Sequence, residues 1–585
     1  MYPVLLWRGW GRWNDVQVDF GRELYVPWRL AEGDVLYRDI AYFNGPLSPY
    51  WNAMWFSVAG DSLQTLMVVN ALLTGLFAIL LHRVVASLSG PVAAGASLLF
   101  FFPMFACGHF PGTGNYNFMT PYSHEITHGL FLGLGAFALA LAGRRAGQAI
   151  KAALAGLLLG LCFLTKAEVF IACLGAVVWL FALSWKTERT GYWVRAALLA
   201  GCSLIAPVAA FLLLMGSLDA TQAAVGVLGS WTGIFGSNAT SSMFYGDLTG
   251  LRDLGFNLGQ MAENFGWLSM LFLPAIGLER FTASKSNSLR WGLGIVYAAA
   301  VGTALATTGW NPGGWMWSAR SLPLIALLAV VLCAVLAWRG RVEARGLWIA
   351  RSGFAMLAFL MFLKIMFNVM LAHYGFVLAL CGSMLWLSIL IGWLPGSRAL
   401  KAGPGIILRC AAFAWLVGTA AAFWSMTEES FATKNMAVGE GPDQFYACAN
   451  NGADFRGEGV RQLLVKVDEW TGPTQTLLVL PEGIMVNYLA RRKTPTRHIN
   501  FMPPELELFG ERNILQDLRD APNPAACVLM HKNTSEYGFP YFGTDYGLLI
   551  MKWVGRRYKP DWQFAQPPLQ PSTGNGFGIG FLGPR

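Results

Sequence analysis

The feature that most constrains this chain is a run of about 15–21 apolar residues, repeated about a dozen times before residue 426. The runs fall near 64–84, 91–107, 129–143, 151–165, 168–184, 196–215, 266–280, 291–308, 321–338, 352–371, 376–394 and 405–425. Only 13% of the residues are charged and 55% are hydrophobic, whereas a soluble chain carries about 25% charged residues. The pattern specifies an α-helical polytopic membrane protein of about 12 spans. The net charge of +9 indicates no nucleic-acid partner, because the Lys and Arg sit between apolar runs rather than in one patch. The nine cysteines have no metal-ligand spacing, and most lie inside apolar runs as small buried hydrophobes.

The basic residues sort themselves when the gaps are numbered alternately. One set holds Arg83, Arg144, Arg145, Lys151, Lys186, Arg189, Arg195, Arg280, Lys285 and Arg290, and continues with Arg339, Arg341, Arg345, Arg351, Arg398 and Lys401. The other set holds little beyond Lys166, Arg252 and Arg320. The positive-inside rule makes the first set cytoplasmic. A first outer loop at 14–63, the gaps at 108–128, 216–265 and 308–320, and the tail are then outside. The expected localisation is a bacterial-type inner membrane. Twelve spans put both ends of the chain on one face, so either an initial helix precedes this sequence or Met1–Trp13 lies in the interface.

Two regions follow: a transmembrane part, 1–425, and an extracytoplasmic soluble α/β domain, 426–585. In the second, strand-like runs (476–480, 526–530) alternate with helix-like ones (459–470, 484–490, 512–519). Its two cysteines, Cys448 and Cys527, face an oxidising compartment, and a bridge between them is an open alternative. The stretch Gly576-Phe577-Gly578-Ile579-Gly580 imitates a nucleotide loop but has no helix after it, and reads as tail.

Five polar elements converge on the outer face. Asp19 and Glu23 share one face if their stretch is helical, or are solvated acids of an interfacial loop. His124-Glu125-Ile126-Thr127-His128 fits H-E-x-x-H, the zinc-protease arrangement; the plainer reading is a polar helix N-terminus bonding loop backbone. Lys166 and Glu168 lie between two apolar runs near the outer surface, where they pair with each other or the ammonium holds a lipid phosphate. Trp310-Asn311-Pro312-Gly313-Gly314-Trp315 with Arg320 reads as an aromatic belt carrying a rare outer arginine. His373-Tyr374-Gly375-Phe376 forms a very tight outer turn. Charge at membrane depth costs roughly 2.5–3.5 kcal/mol per residue, so it is rarely there without use.

On these residues the chain resembles the GT-C superfamily of integral-membrane glycosyltransferases, of the protein-mannosyltransferase-like and aminoarabinose-transferase-like kind. The carrying stretches are Asp19…Arg22-Glu23…Tyr37-Arg38-Asp39…Gly45-Pro46-Leu47, then Gly156 through Lys166, then His373-Tyr374-Gly375-Phe376. Pro481-Glu482-Gly483 and Glu536-Tyr537-Gly538 continue the likeness into the tail. Members of the group start with a cytoplasmic tail and a first helix, which this chain lacks. The resemblance implies an inverting transfer of a sugar from a polyprenyl-phosphate donor to a lipid, glycan or protein acceptor at the outer face. Asp19 matches the first-loop acid that takes the acceptor proton, with Glu125 as a second carboxylate. Lys166 and Arg320 would offset charge on the leaving phosphate, with His373 and Tyr374 as hydrogen-bond donors. Glu23, Tyr37, Asp39 and Glu168 complete the substrate-binding set. No cofactor is required on this reading. A divalent ion held by Asp19, His124, Glu125 and His128, as in the oligosaccharyltransferases of the superfamily, is the alternative. A transporter or flippase would show related halves and midplane charges, and an intramembrane zinc protease would rest on residues 124–128.

Overall fold

A computed structural model describes residues 1–15, 20–110, 115–143, 148–185, 191–236, 243–307, 319–397, 400, 404–449, 454–565 and 577–585. The apolar runs fall largely on helices, because a backbone in lipid must satisfy its hydrogen bonds internally; the run 352–371 leaves its helix at Met361. Nine helices among the described residues are long and apolar enough to cross a membrane, among them Leu63–Ser89, His124–Gly143, Ala167–Ser184 and Ile406–Thr433. Pro91–Ala106 and Ala149–Phe163 are shorter apolar helices. Large apolar side chains such as Leu72, Leu76, Leu212, Leu213, Leu332 and Trp338 point outward unburied, the surface that a hydrocarbon solvent accepts and water does not.

Described residues beside several of the basic gaps pack together. There Arg290 pairs with Glu279, whose other oxygen accepts the Ile407 N–H at 2.8 Å. Arg351 lies against the rings of Trp348 and Trp393 and donates to the Leu88 carbonyl at 3.0 Å. Helix Tyr2–Gly9 rests on the bundle, with the Tyr2 hydroxyl donating to Ala71 O at 2.7 Å and its ring stacked on Phe102.

The Gly45-Pro46-Leu47 stretch has a clear physical reason. The N–H groups of Gly45 and Leu47 donate to the carbonyls of Thr165 and Leu164, at 3.0 and 3.2 Å. A Cβ on Gly45 would stand 2.1 Å from the Leu164 oxygen, so only glycine permits this approach. Two stretches far apart in sequence thus fix the turn that carries Lys166.

The last apolar helix runs to Thr433, past the composition change near 425. Strand β1 (Lys434–Val438) then pairs antiparallel with β2 (Phe445–Cys448). A second sheet is built from β3 (Leu477–Leu480), β4 (Ala526–His531), β5 (Tyr558–Phe564) and β6 (Gly578–Pro584), in the order β3-β4-β6-β5, with only β3 and β4 parallel. Residues 578–580 of the glycine-rich stretch expected to be tail therefore begin an interior strand. It reads poorly as a strand because glycine weakens strand propensity.

Alternation along β3 and β4 divides the side chains between two cores. Leu477, Val479, Ala526, Val528 and Met530 join the same core as the bundle. Leu478, Leu480, Cys527 and Leu529 face a separate core with Ile514, Leu518, Ile550 and Trp553. Cys527 is thereby sequestered, while Cys448 lies beside the Thr433 hydroxyl at 3.3 Å; both are free thiols.

Candidate functional site

The start of helix His124–Gly143 is a hydrogen-bonded knot. Glu23 accepts the His124 backbone N–H at 3.0 Å and bonds His124 Nδ1 at 2.6 Å, so it caps the helix. His124 Nε2 meets the Asn70 amide at 3.0 Å, which leaves no ring nitrogen for an ion. Arg22 donates to Glu23 at 2.8 and 3.1 Å and to the Tyr122 carbonyl at 3.0 Å. Against the pull of burial, Arg22 and His124 hold the Glu23 carboxyl well below its ordinary range. Glu125 is fully buried and accepts from the hydroxyls of Tyr42 and Ser123. His128 Nδ1 lies 3.0 Å from Ser48 Oγ. The described residues contain no group of three or more His, Cys, Asp or Glu placed to hold a metal. The H-E-x-x-H letters here fasten the first loop to a helix, and Glu125 bonds two hydroxyls within that knot. Asp19 lies outside the described residues.

Beside this knot a cavity of about 1570 Å³ opens between the bundle and the tail. Arg22, Lys166, Glu168, Lys364, His373 and Tyr374 line its bundle side. Lys166 sits in extended conformation at the head of Ala167–Ser184, held by the Gly45 contact described above. Its ammonium donates to the Tyr122 hydroxyl at 2.7 Å and lies 4.8 Å from that ring's centre. Glu168 instead pairs with Lys364, at 3.0 Å. Lys364 also lies 4.1 Å above the Tyr374 ring. Lys166 and Glu168 therefore do not pair. Among the described residues Lys166 is a cation only 8% exposed whose partner is a neutral phenol. Such a charge is expensive to bury uncompensated.

His373 holds a left-handed backbone (φ 55°), followed by Gly375, where a Cβ would meet Met370 O at 1.6 Å. Burial first, then Lys364, brings its imidazole down to about 3, so it is neutral. Asn44 lines the same wall, is 1% exposed, and neither side-chain polar atom has a hydrogen-bond partner.

Three expected site residues stand elsewhere. Arg320 donates to Asn257 Oδ1 and Asn368 Oδ1, both at 2.8 Å, tying helix Leu254–Phe281 to the loop after residue 365. It does not line the cavity. Tyr37, in left-handed conformation (φ 71°), donates its hydroxyl to Asn44 O at 2.8 Å. Asp39 accepts the Val35 N–H at 2.8 Å and pairs with Arg38. Both shape the loop that delivers Asn44 and Gly45. The belt at 310–315 lies outside the described residues.

The tail supplies the opposite wall with Glu482, Glu505, Lys532 and Glu536. Lys532 pairs with Glu482 at 2.6 Å. Glu505 accepts from the Asn500 amide at 3.0 Å, and burial, with Glu482 nearby, pushes its carboxyl up to about 7. The sequence reading marked Glu482 and Glu536 only through their Pro-Glu-Gly and Glu-Tyr-Gly neighbours. It missed Lys364, Glu505 and Lys532.

No known protein-family profile matches this chain, and no curated protein matches it. Among solved structures it is similar to ArnT from Cupriavidus metallidurans bound to undecaprenyl phosphate, at 13% identity and a TM-score of 0.46, over 99% of this chain and 96% of that one. It is also similar to the Archaeoglobus fulgidus oligosaccharyltransferase in complex with Zn and sulfate, at 13% identity and a TM-score of 0.47, over 99% of this chain and 72% of that one. A third similarity is to the archaeal oligosaccharyltransferase AglB from Archaeoglobus fulgidus with an inhibitory peptide and a dolichol-phosphate, at 14% identity and a TM-score of 0.46, over 97% and 71%.

Proposed function

We propose that the protein is a GT-C-type glycosyltransferase that moves a sugar from a polyprenyl-phosphate donor to an acceptor, with inversion, in the cavity between bundle and tail. The observation that carries this reading is Lys166, a buried ammonium whose hydrogen bond goes to a phenol, in a cluster where Lys166, Lys364 and Arg22 outnumber the carboxylates Glu168 and Glu23 that answer them. A phosphate on a lipid chain supplies both the missing negative charge and an apolar tail for the surrounding helices. Lys364 and Arg22 each have a carboxylate partner, so Lys166 brings the net positive charge and His373 a neutral N–H.

In the proposed step the Asp19 carboxylate takes the proton of the acceptor hydroxyl. The acceptor oxygen bonds to the anomeric carbon as the bond to the phosphate oxygen breaks. The electron pair leaves on the phosphate, where Lys166 offsets it. Asp15 and Arg22, flanking Asp19 in sequence, both line the cavity. Steady-state transfer assays with radiolabelled polyprenyl-phosphate hexoses and pentoses, on protein in lipid nanodiscs, test the reading. Saturable release of polyprenyl phosphate is expected, and its absence with every donor retires the proposal.

The same reading assigns the cavity to the outer face of a bacterial-type inner membrane, an assignment supported by the alternation of basic gaps along the sequence. A periplasm-dependent reporter fused after Arg585 is expected to be active and a cytoplasm-dependent one silent. The reverse pair of results would invert the membrane orientation.

A further inference from the structure

The same cavity has a second stretch of lining, here called a lobe, whose chemistry differs from that around Lys166. Segment 12–15, the stretch after Cys107, the end of helix Ile406–Thr433 and the start of helix Arg456–Trp470 converge there. The Trp13 indole N–H donates to Cys107 O at 2.8 Å, and the Asp15 N–H donates to Asn115 Oδ1 at 2.9 Å. The His109 N–H donates to Thr427 Oγ1 at 3.2 Å.

The cations of this lobe, Arg456 and Lys434, are outnumbered by the carboxylates Asp15, Asp454 and Glu429. Arg456 lies between Asp15 and Asp454, at 3.0 and 2.9 Å. The Lys434 ammonium donates to the carbonyls of Arg12 and Asn14, at 2.7 and 3.1 Å. Exposed Glu429 adds negative charge on the same lining. What remains unanswered is neutral. Asn14 is 2% exposed and neither polar atom of its amide has a hydrogen-bond partner. His109 is 6% exposed and its Nδ1 also has none. Burial, then Lys434, holds its imidazole well below the usual range, hence uncharged. Both side chains line the cavity, as do the neighbouring rings of Phe455 and Phe577.

Buried polar groups without partners are rare enough to need a reason. An amide offers two donors and an acceptor, and a neutral imidazole adds a donor or acceptor. With apolar rings beside them, that is a complement to sugar hydroxyls and to the C–H face of a pyranose. We propose that this lobe, lined by Asn14 and His109, binds a neutral, hydroxyl-rich group, the sugar headgroup of the acceptor. The inference rests on the transferase reading, and it deepens it by assigning the acceptor class: a neutral glycan and not an anionic one.

The test is saturation-transfer NMR on the full chain in nanodiscs, with maltose, lactose and mannobiose as neutral probes and glucose 6-phosphate as the anionic one. At least one neutral disaccharide is expected to bind, with glucose 6-phosphate weaker. Asn14→Leu and His109→Phe should each weaken it by about fivefold, the worth of a neutral hydrogen bond, and His109→Gln should restore part of the loss. Undecaprenyl phosphate binding, titrated on the same samples, should be unchanged in these variants and reduced by Lys166→Ala. No binding by any neutral probe, preference for the sugar phosphate, or indifference to both substitutions would overturn the inference. A loss of undecaprenyl phosphate binding in Asn14→Leu that His109→Gln does not share would also count against it, as damage to the fold. Failure of Lys166→Ala to affect undecaprenyl phosphate would instead strike the transferase reading itself.

Discussion

Asp19→Asn is expected to lower the transfer rate by roughly two to four orders of magnitude, with folding and donor binding retained. The amide is nearly the size and shape of the carboxylate but is far less basic. An acceptor hydroxyl gives up its proton only as its oxygen attacks, so the group that receives the proton must be basic at that moment. Neighbouring acids do not substitute. Glu23 is locked by Arg22 and His124, and Glu125 by two hydroxyls. Single-turnover rates with a pre-bound donor isolate the chemical step. A purified Asn variant turning over at a near-native rate would remove Asp19 from the mechanism.

Lys166→Ala should weaken donor affinity roughly 10–100-fold, the range for a hydrogen bond to a charged group. Lys166→Arg should recover part of this, because charge persists while a planar fork replaces a compact ammonium. The structure adds a sharper expectation. Since Glu168 belongs to Lys364, combining Lys166→Ala with Glu168→Ala should not restore binding, and should cost more by leaving Lys364 without its carboxylate. Thermal stability should change little: Lys166→Ala removes a costly buried ammonium together with its Tyr122 hydrogen bond and its attraction to Glu168. Initial rates against polyprenyl-phosphate-sugar concentration, with melting curves on the same four proteins, give both readings. Recovery of donor use in the double variant would end the phosphate role for Lys166.

The bundle was legible because apolar length is a direct consequence of crossing a hydrocarbon layer, and the strands β3 and β4 because both of their faces are buried. The ion pairs were not. Lys166 and Glu168 are two apart in sequence, which invites pairing, but such neighbours at a helix start do not face each other. The partner of Glu168 lies 196 residues away. Lys364 was hidden because the run 352–371 reads as one span, whereas the helix stops at Met361 and a short turn aims the lysine at the cavity. Arg320 stood out for being rare on its face, yet rarity said nothing of Asn257 and Asn368, which occupy it.

The position of β6 has a consequence for how the protein is made. This strand lies between β4 and β5 and pairs with both, and one face of its sheet is continuous with the core of the bundle. During synthesis the helices can enter the membrane in order, but the wall bearing Glu482 and Lys532 has no stable neighbour until residues 578–584 emerge. The wall of the cavity is therefore completed only after residues 578–584 have been made, long after the helices that form its other side.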